Sequence, residues 1–97
     1  MKIKIEFLGV LRRELGKESI EVDLGNELGE SPSLRDFLKY LVSIYPKLDI
    51  AIGRDGLLTT SYMLFINGID YMVLGGYNYK LRDLDKLTFI PIAHGGR

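Results

Sequence analysis

No cysteine occurs in the 97-residue sequence, which excludes disulfides, thiolate metal sites and a cysteine nucleophile, and agrees with a reducing compartment. Any sulfur chemistry involving this chain must use sulfur supplied from elsewhere. An excess of charge is also missing: thirteen basic residues balance thirteen acidic ones. With no positive field to hold a phosphate backbone by counterion release, nucleic acid is not expected as a direct partner. Charges interrupt the apolar residues from the start, at Lys2, Lys4 and Glu6, and no run approaches the ~20 apolar residues a membrane helix requires. A soluble, cytoplasmic protein without a membrane partner is expected. Glutamine is absent too, a composition that leans toward a thermophilic source. The single histidine, His94, has no second ligand near it in sequence, so no metal site is expected. No clustered acid, base and nucleophile can be named, which points away from an independent enzyme.

What is present suffices for one domain: 46% of the residues are hydrophobic, enough for a single core at this length. Ile3, Ile5 and Phe7 alternate with Lys2, Lys4 and Glu6, and Ile20, Val22 and Leu24 alternate with Ser19, Glu21 and Asp23, so each segment reads as a strand with one oily face. Gly9 and Gly16 bracket residues 10–15, read as the long loop of a hairpin. Its charges, Arg12, Arg13, Glu14 and Lys17, read as a solvated face. The period then changes. Leu34, Phe37, Leu38, Leu41 and Ile44 fall on one helical stripe, with Ser33 and Asp36 as a variant capping box and Pro46 as a stop.

Residues 47–61 hold no sustained period and read as a surface loop with room for a short helical turn. Residues 62–66 are aromatic and branched and run into Asn67-Gly68, a strand ending in a tight hairpin turn. Residues 69–73 can return as a strand, Gly75-Gly76 punctuates a loop, and residues 87–92 form a last apolar strand. The order strand, strand, helix, strand, strand, strand excludes a doubly wound sheet. It fits an α+β fold of the β-grasp type: a mixed sheet of four to five strands with one main helix on one face. Residues 1–92 form that domain, and 93–97 a flexible tail.

The tail is Ala93-His94-Gly95-Gly96-Arg97. Nothing large and apolar anchors it, and ordering it costs roughly 1 to 2 kcal/mol per residue, so order is expected only inside a partner. From Pro91 to Gly96 it can span about 20 Å, enough to enter a narrow channel. Glycine without a Cβ lets a carbonyl approach a nucleotide phosphate or an attacking nucleophile.

Four segments together resemble the ubiquitin-like sulfur carriers of the MoaD/ThiS superfamily (the molybdopterin synthase small subunit type) and the allied ubiquitin-related modifiers. They are the opening strand at residues 2–7, the helix at 34–44 ending near Tyr45-Pro46, the Phe65-Ile66-Asn67-Gly68 turn, and residues 81–91 leading into Gly95-Gly96. Chain length and the His94-Gly95-Gly96 ending look more like the modifiers than the shorter thiamine-pathway carriers.

The resemblance implies a carrier that is cosubstrate and not catalyst. A ubiquitin-activating-type enzyme using ATP and Mg would adenylate the Gly96 carboxylate, and a sulfur donor would convert it to a thiocarboxylate. The receiver would be the large subunit of molybdopterin synthase, entered by Ala93, His94, Gly95 and Gly96, or a transfer RNA thiolation enzyme. Alternatively Gly96 would be joined to lysines of target proteins. In the family's active form the second glycine is terminal, whereas here Arg97 follows, so a processing peptidase acting between Gly96 and Arg97 is expected; the alternative is a homologue that has left the pathway. A further candidate docking face comprises Tyr71, Met72, Tyr77 and Tyr79. The pattern equally allows those side chains to cover the core.

Overall fold

The computed structural model describes residues 1–92; positions 93–97 lie outside the described residues. β1 (Lys2–Phe7) and β2 (Ser19–Asp23) pair antiparallel, with Ile3 opposite Val22 and Ile5 opposite Ile20. Their apolar residues are buried and Lys2, Lys4 and Glu21 exposed, the alternation a one-sided sheet demands.

The connection between them corrects the expected loop. Residues Val10–Leu15 form a short helix, α1. Leu11 is completely buried beneath it, Arg12 and Arg13 sit in its last turn where the helix dipole favours cations, and a left-handed Gly16 caps it with its N–H on the Arg13 carbonyl. Six residues are too few for helical periodicity to register, and the helix depends on that one buried anchor.

α2 (Leu34–Ile44) matches its expected bounds. The Ser33 hydroxyl accepts from the Asp36 N–H at 3.1 Å. At the other end Tyr45 adopts φ −128°, ψ 78°, because a residue before proline is forced out of the helical region. Leu34, Phe37, Leu38, Leu41 and Val42 are buried, while Ile44, at the end of the predicted stripe, is 43% exposed. Pro46–Ile50 makes a 3₁₀ turn that buries Leu48, the short turn for which the loop left room.

β3 (Tyr62–Ile66) turns through Asn67 (φ 52°) and Gly68 (φ 83°) into β4. Both positive angles are those of the tight turn expected of Asn-Gly. β4 covers only Ile69–Asp70 and not the five residues expected. The Asp70 carboxylate accepts from Met72 N–H at 2.9 Å, and Val73 N–H donates to the Asp70 carbonyl, an Asx turn that pulls the chain out of the sheet. β5 (Lys86–Pro91) then runs up the middle.

The strand order is β2-β1-β5-β3-β4. β5 pairs parallel with β1, Ile5 opposite Leu87 and Phe7 opposite Phe89, and antiparallel with β3, Leu64 opposite Phe89. Phe7 and Phe89 stack with ring centroids 6.4 Å apart. With α2 over one face, this is the five-stranded mixed sheet of the β-grasp.

Among the described residues the buried charged side chain is Asp85, 4% exposed. Its carboxylate accepts from Asn67 Nδ2 at 2.8 Å, the Tyr79 hydroxyl at 2.8 Å and Arg82 N–H at 2.9 Å. Asn67 in turn accepts from Lys86 N–H at 2.9 Å, so one carboxylate ties the β3–β4 turn to the start of β5. Removing it orphans three donors at once, at roughly 1 to 3 kcal/mol each where they stay dry. Asp85→Ala should therefore lower the unfolding free energy by about 3 kcal/mol in urea titration with unchanged slope, while Glu21→Ala on the surface stays within about 0.5 kcal/mol.

Candidate functional site

The residues expected to carry the chemistry, Ala93, His94, Gly95, Gly96 and Arg97, lie outside the described residues. What the structure defines is the end of β5 that precedes them in the chain. Because β5 runs parallel to β1, its C-terminal end lies beside the C-terminal end of β1, next to Leu8, Gly9 and the start of α1. Leu8 N–H donates to the Phe89 carbonyl at 3.2 Å, and on the opposite side Ile92 N–H donates to the Ser61 carbonyl at 2.9 Å. The root of the tail is thus held from both neighbouring strands.

Two surfaces flank this root. An open cleft of about 710 Å³ is lined by Gly9, Arg12, Arg13, Gly16, Lys17 and Glu18. Arg12 and Glu18 form an ion pair across it at 2.8 Å. The second surface is the sheet face away from α2. On β1 and the start of β5 it is polar: Glu6 lies 3.6 Å from Lys86 Nζ and 4.0 Å from Lys4 Nζ, and accepts from the Thr88 hydroxyl at 3.3 Å. Toward the tail root it becomes apolar, with Met63 opposite Ile90, Met63 38% exposed and Leu8 41% exposed. This patch lies outside the expected docking residues Tyr71, Met72, Tyr77 and Tyr79. Its signal was the run Tyr62-Met63-Leu64-Phe65-Ile66, apolar at every position; with one helix to cover one face, such a strand must leave apolar side chains on the other.

The four residues expected as a docking face differ in exposure. Tyr71, Tyr77 and Tyr79 are half-buried and pack on the core, whereas Met72 is 66% exposed beside Val73 at 77%. Tyr71 and Tyr77 rings lie 5.4 Å apart, Tyr77 accepts from Leu58 N–H at 2.9 Å, and Tyr79 donates to Asp85. The segment crosses to the helix side, where the Tyr79 carbonyl accepts from Leu34 N–H at 2.7 Å. No group of three or more His, Cys, Asp or Glu among the described residues could hold a metal ion. No helix among them is long and apolar enough to cross a membrane.

Burial, then the Tyr77 hydroxyl and the Asp70 carboxylate, push the Tyr71 hydroxyl up to about 12. Burial and the hydrogen bond to Asp85 also raise Tyr79. A phenol whose folded value exceeds the unfolded ~10 supports folding fully below that pH and loses its contribution as pH climbs through the folded value. Phenolate absorbance should therefore show Tyr71 ionising near pH 12, well after free tyrosine. Tyr77→Phe should bring it down, and stability should fall progressively above pH ~10.

A family model described as Urm1 (Ubiquitin related modifier) matches residues 2–96. A ubiquitin-related modifier 1 homolog of Dictyostelium discoideum is 28% identical over 97 residues, covering 99% of this chain and 100% of its own length. SAMP1 from Haloferax volcanii superimposes with a TM-score of 0.75 at 22% identity, over 99% of this chain and 100% of that one, a likeness of fold. The small archaeal modifier protein 1 of Methanosarcina acetivorans gives 0.74 at 26% identity, over 98% and 96%. The family match begins with β1, runs through α2 and the central strand, and takes in Gly95-Gly96; the chain belongs to the ubiquitin related modifier (Urm1) family.

Proposed function

We propose that the chain is a ubiquitin-like sulfur carrier whose Gly96 carboxylate is activated by a ubiquitin-activating-type adenylating enzyme, with transfer RNA thiolation as the receiving chemistry. The observation that carries this reading is the family match through Gly96 on a fold that holds the root of that segment at the end of its central strand. A carboxylate oxygen of Gly96 attacks the α-phosphorus of ATP and pyrophosphate leaves. Hydrosulfide then attacks the acyl carbon and AMP leaves, giving the thiocarboxylate. The chain itself provides the glycine acyl group, so it acts as cosubstrate.

Arg97 follows Gly96 in this sequence, and an amide there leaves no carboxylate to adenylate. Removal of Arg97 by a peptidase therefore precedes activation. The family match favours the modifier branch over delivery to the large subunit of molybdopterin synthase. The same branch supports a second use of the activated glycine, in which a lysine amine of a target protein displaces AMP in place of sulfur.

Protein truncated after Gly96, incubated with the activating enzyme, ATP, Mg and sulfide, should gain about 16 Da, one oxygen replaced by sulfur. The chain still bearing Arg97 should gain nothing until the arginine mass is lost. Activation with Arg97 retained would dispose of the processing step, and no gain by the truncated protein would dispose of the carrier reading. Gly96-dependent conjugates in lysate would establish the lysine route beside it.

A further inference from the structure

We infer that Gly9 is a positioning residue for the reactive C-terminus: lacking a side chain, it lets the Pro91 ring seat against the start of α1 and so fixes the line along which the residues after 92 leave the sheet. The inference rests on the carrier reading, since it concerns how that terminus is presented.

Gly9 stands where β1 leaves the sheet for α1, at φ 66° and ψ −136°, a region glycine enters freely and other residues do not. Conformation is only half of its role. A Cβ at this position would lie 2.7 Å from Pro91 Cγ, 3.5 Å from Cδ and 3.6 Å from Cβ. A longer side chain could swing aside. The pyrrolidine ring has only its pucker to give, because it is closed onto its own backbone nitrogen, so the rest of the relief comes from moving the backbone where residues 9 and 91 meet.

That backbone has little freedom of its own. Pro91 is paired with Tyr62 on β3, and the next residue, Ile92, is tied to the Ser61 carbonyl at 2.9 Å. On the β1 side the last hydrogen bond among the described residues is Leu8 N–H to the Phe89 carbonyl, and proline has no N–H with which to continue a ladder. Beyond Phe89, then, the hold on the β1 side is steric: ring against glycine. A shift of about 1 Å at residue 91 is what restoring van der Waals distance to a methyl group requires. Four residues, 93–96, separate Ile92 from the reacting carbonyl's far side, roughly 13 Å when drawn out in a channel. An error of direction at the root is therefore enlarged at Gly96, and misplacement on the scale of 1 Å can cost up to about a hundredfold in rate.

A role in backbone strain alone and a role in aiming the terminus predict opposite results for the pair of substitutions. Gly9→Ala, Pro91→Ala and the double variant, each ending at Gly96, would be assayed with the activating enzyme by ATP–pyrophosphate exchange, well below the melting point of the least stable. Gly9→Ala should lower kcat about tenfold with KM for the carrier within about threefold, because the body still docks while the terminus misses. Pro91→Ala, which removes the ring and leaves a gap, should lower kcat about threefold. In the double variant the new methyl occupies the space the ring left, and kcat should recover to within about threefold of wild type, although the strain at Gly9, and with it the lowered melting temperature, persists. A double variant no better than Gly9→Ala overturns the inference and leaves Gly9 a matter of strain. Should Gly9→Ala fail to fold, Pro91→Ala decides alone, and an unchanged kcat there overturns it. A wild-type protein that is not activated at all removes the carrier reading, and this inference with it.

Discussion

The parallel contact between β1 and β5 is the constraint on which the rest of the structure depends. Antiparallel neighbours can be joined by a tight turn, but parallel ones need a long crossover. Between Phe7 and Lys86 the chain must therefore leave the sheet and return, and every other element lies in that excursion. β2 folds back on β1, α2 crosses over the face, β3 comes in on the far side of the vacant position, and β5 fills it last. Phe7, Phe89 and Leu64, all buried, meet across these ladders beneath α2, so the final strand closes the core and the sheet in one step.

The two ends of β5 are handled by different physics. At its start a buried carboxylate collects three donors, from the β3–β4 turn, from Tyr79 and from the backbone ahead of the strand. Such a group is unfavourable to bury unless every donor and acceptor finds a partner, and here they do, which makes the register of the strand insensitive to slippage. At its end no comparable polar knot occurs among the described residues. Pro91 has no N–H, β1 has already departed into α1, and beyond Phe89 the strand is held by its pairing with β3, the Ile92 hydrogen bond to Ser61 and packing against Gly9. The buried polar anchoring sits at the start of β5, and the end of the strand is held through shape.

What the sequence reveals follows from how far apart the interacting residues are. The alternation of Ile3, Ile5 and Phe7 and the stripe from Leu34 to Leu41 report on faces, which are local properties, and they match the structure. So do the Ser33 cap, the Tyr45-Pro46 stop and the Asn67-Gly68 turn, each decided within four residues. α1 escapes notice because it is shorter than a window in which a period can be counted, and it is held by Leu11 contacting the core. β4 is cut short by a side chain, Asp70, whose preference for capping its own following amides competes with the ladder. The tyrosines are the plainest case. Whether Tyr77 covers the core or faces a partner depends on Leu58 N–H, nineteen residues away, and no local pattern carries that information.

A glycine pair is a poor basis for selectivity. It offers no side chain to recognise, and its merit in a narrow channel, close approach of the backbone, is shared by any other glycine pair. On the carrier reading, an activating partner that must find this chain among others can take little of its discrimination from Gly95-Gly96, and must take it from surfaces whose position relative to the terminus is fixed. The structure places two such surfaces at the root of the tail: the Arg12, Arg13 and Lys17 side of α1 and the Leu8, Met63 and Ile90 end of the open sheet face. Both are built on residues adjacent to Gly9 or Pro91 in the fold. On that reading, a contact that sets the angle between body and terminus also sets whether recognition by the body and reaction at Gly96 can occur together, which is why a single methyl group at Gly9 bears on chemistry at Gly96.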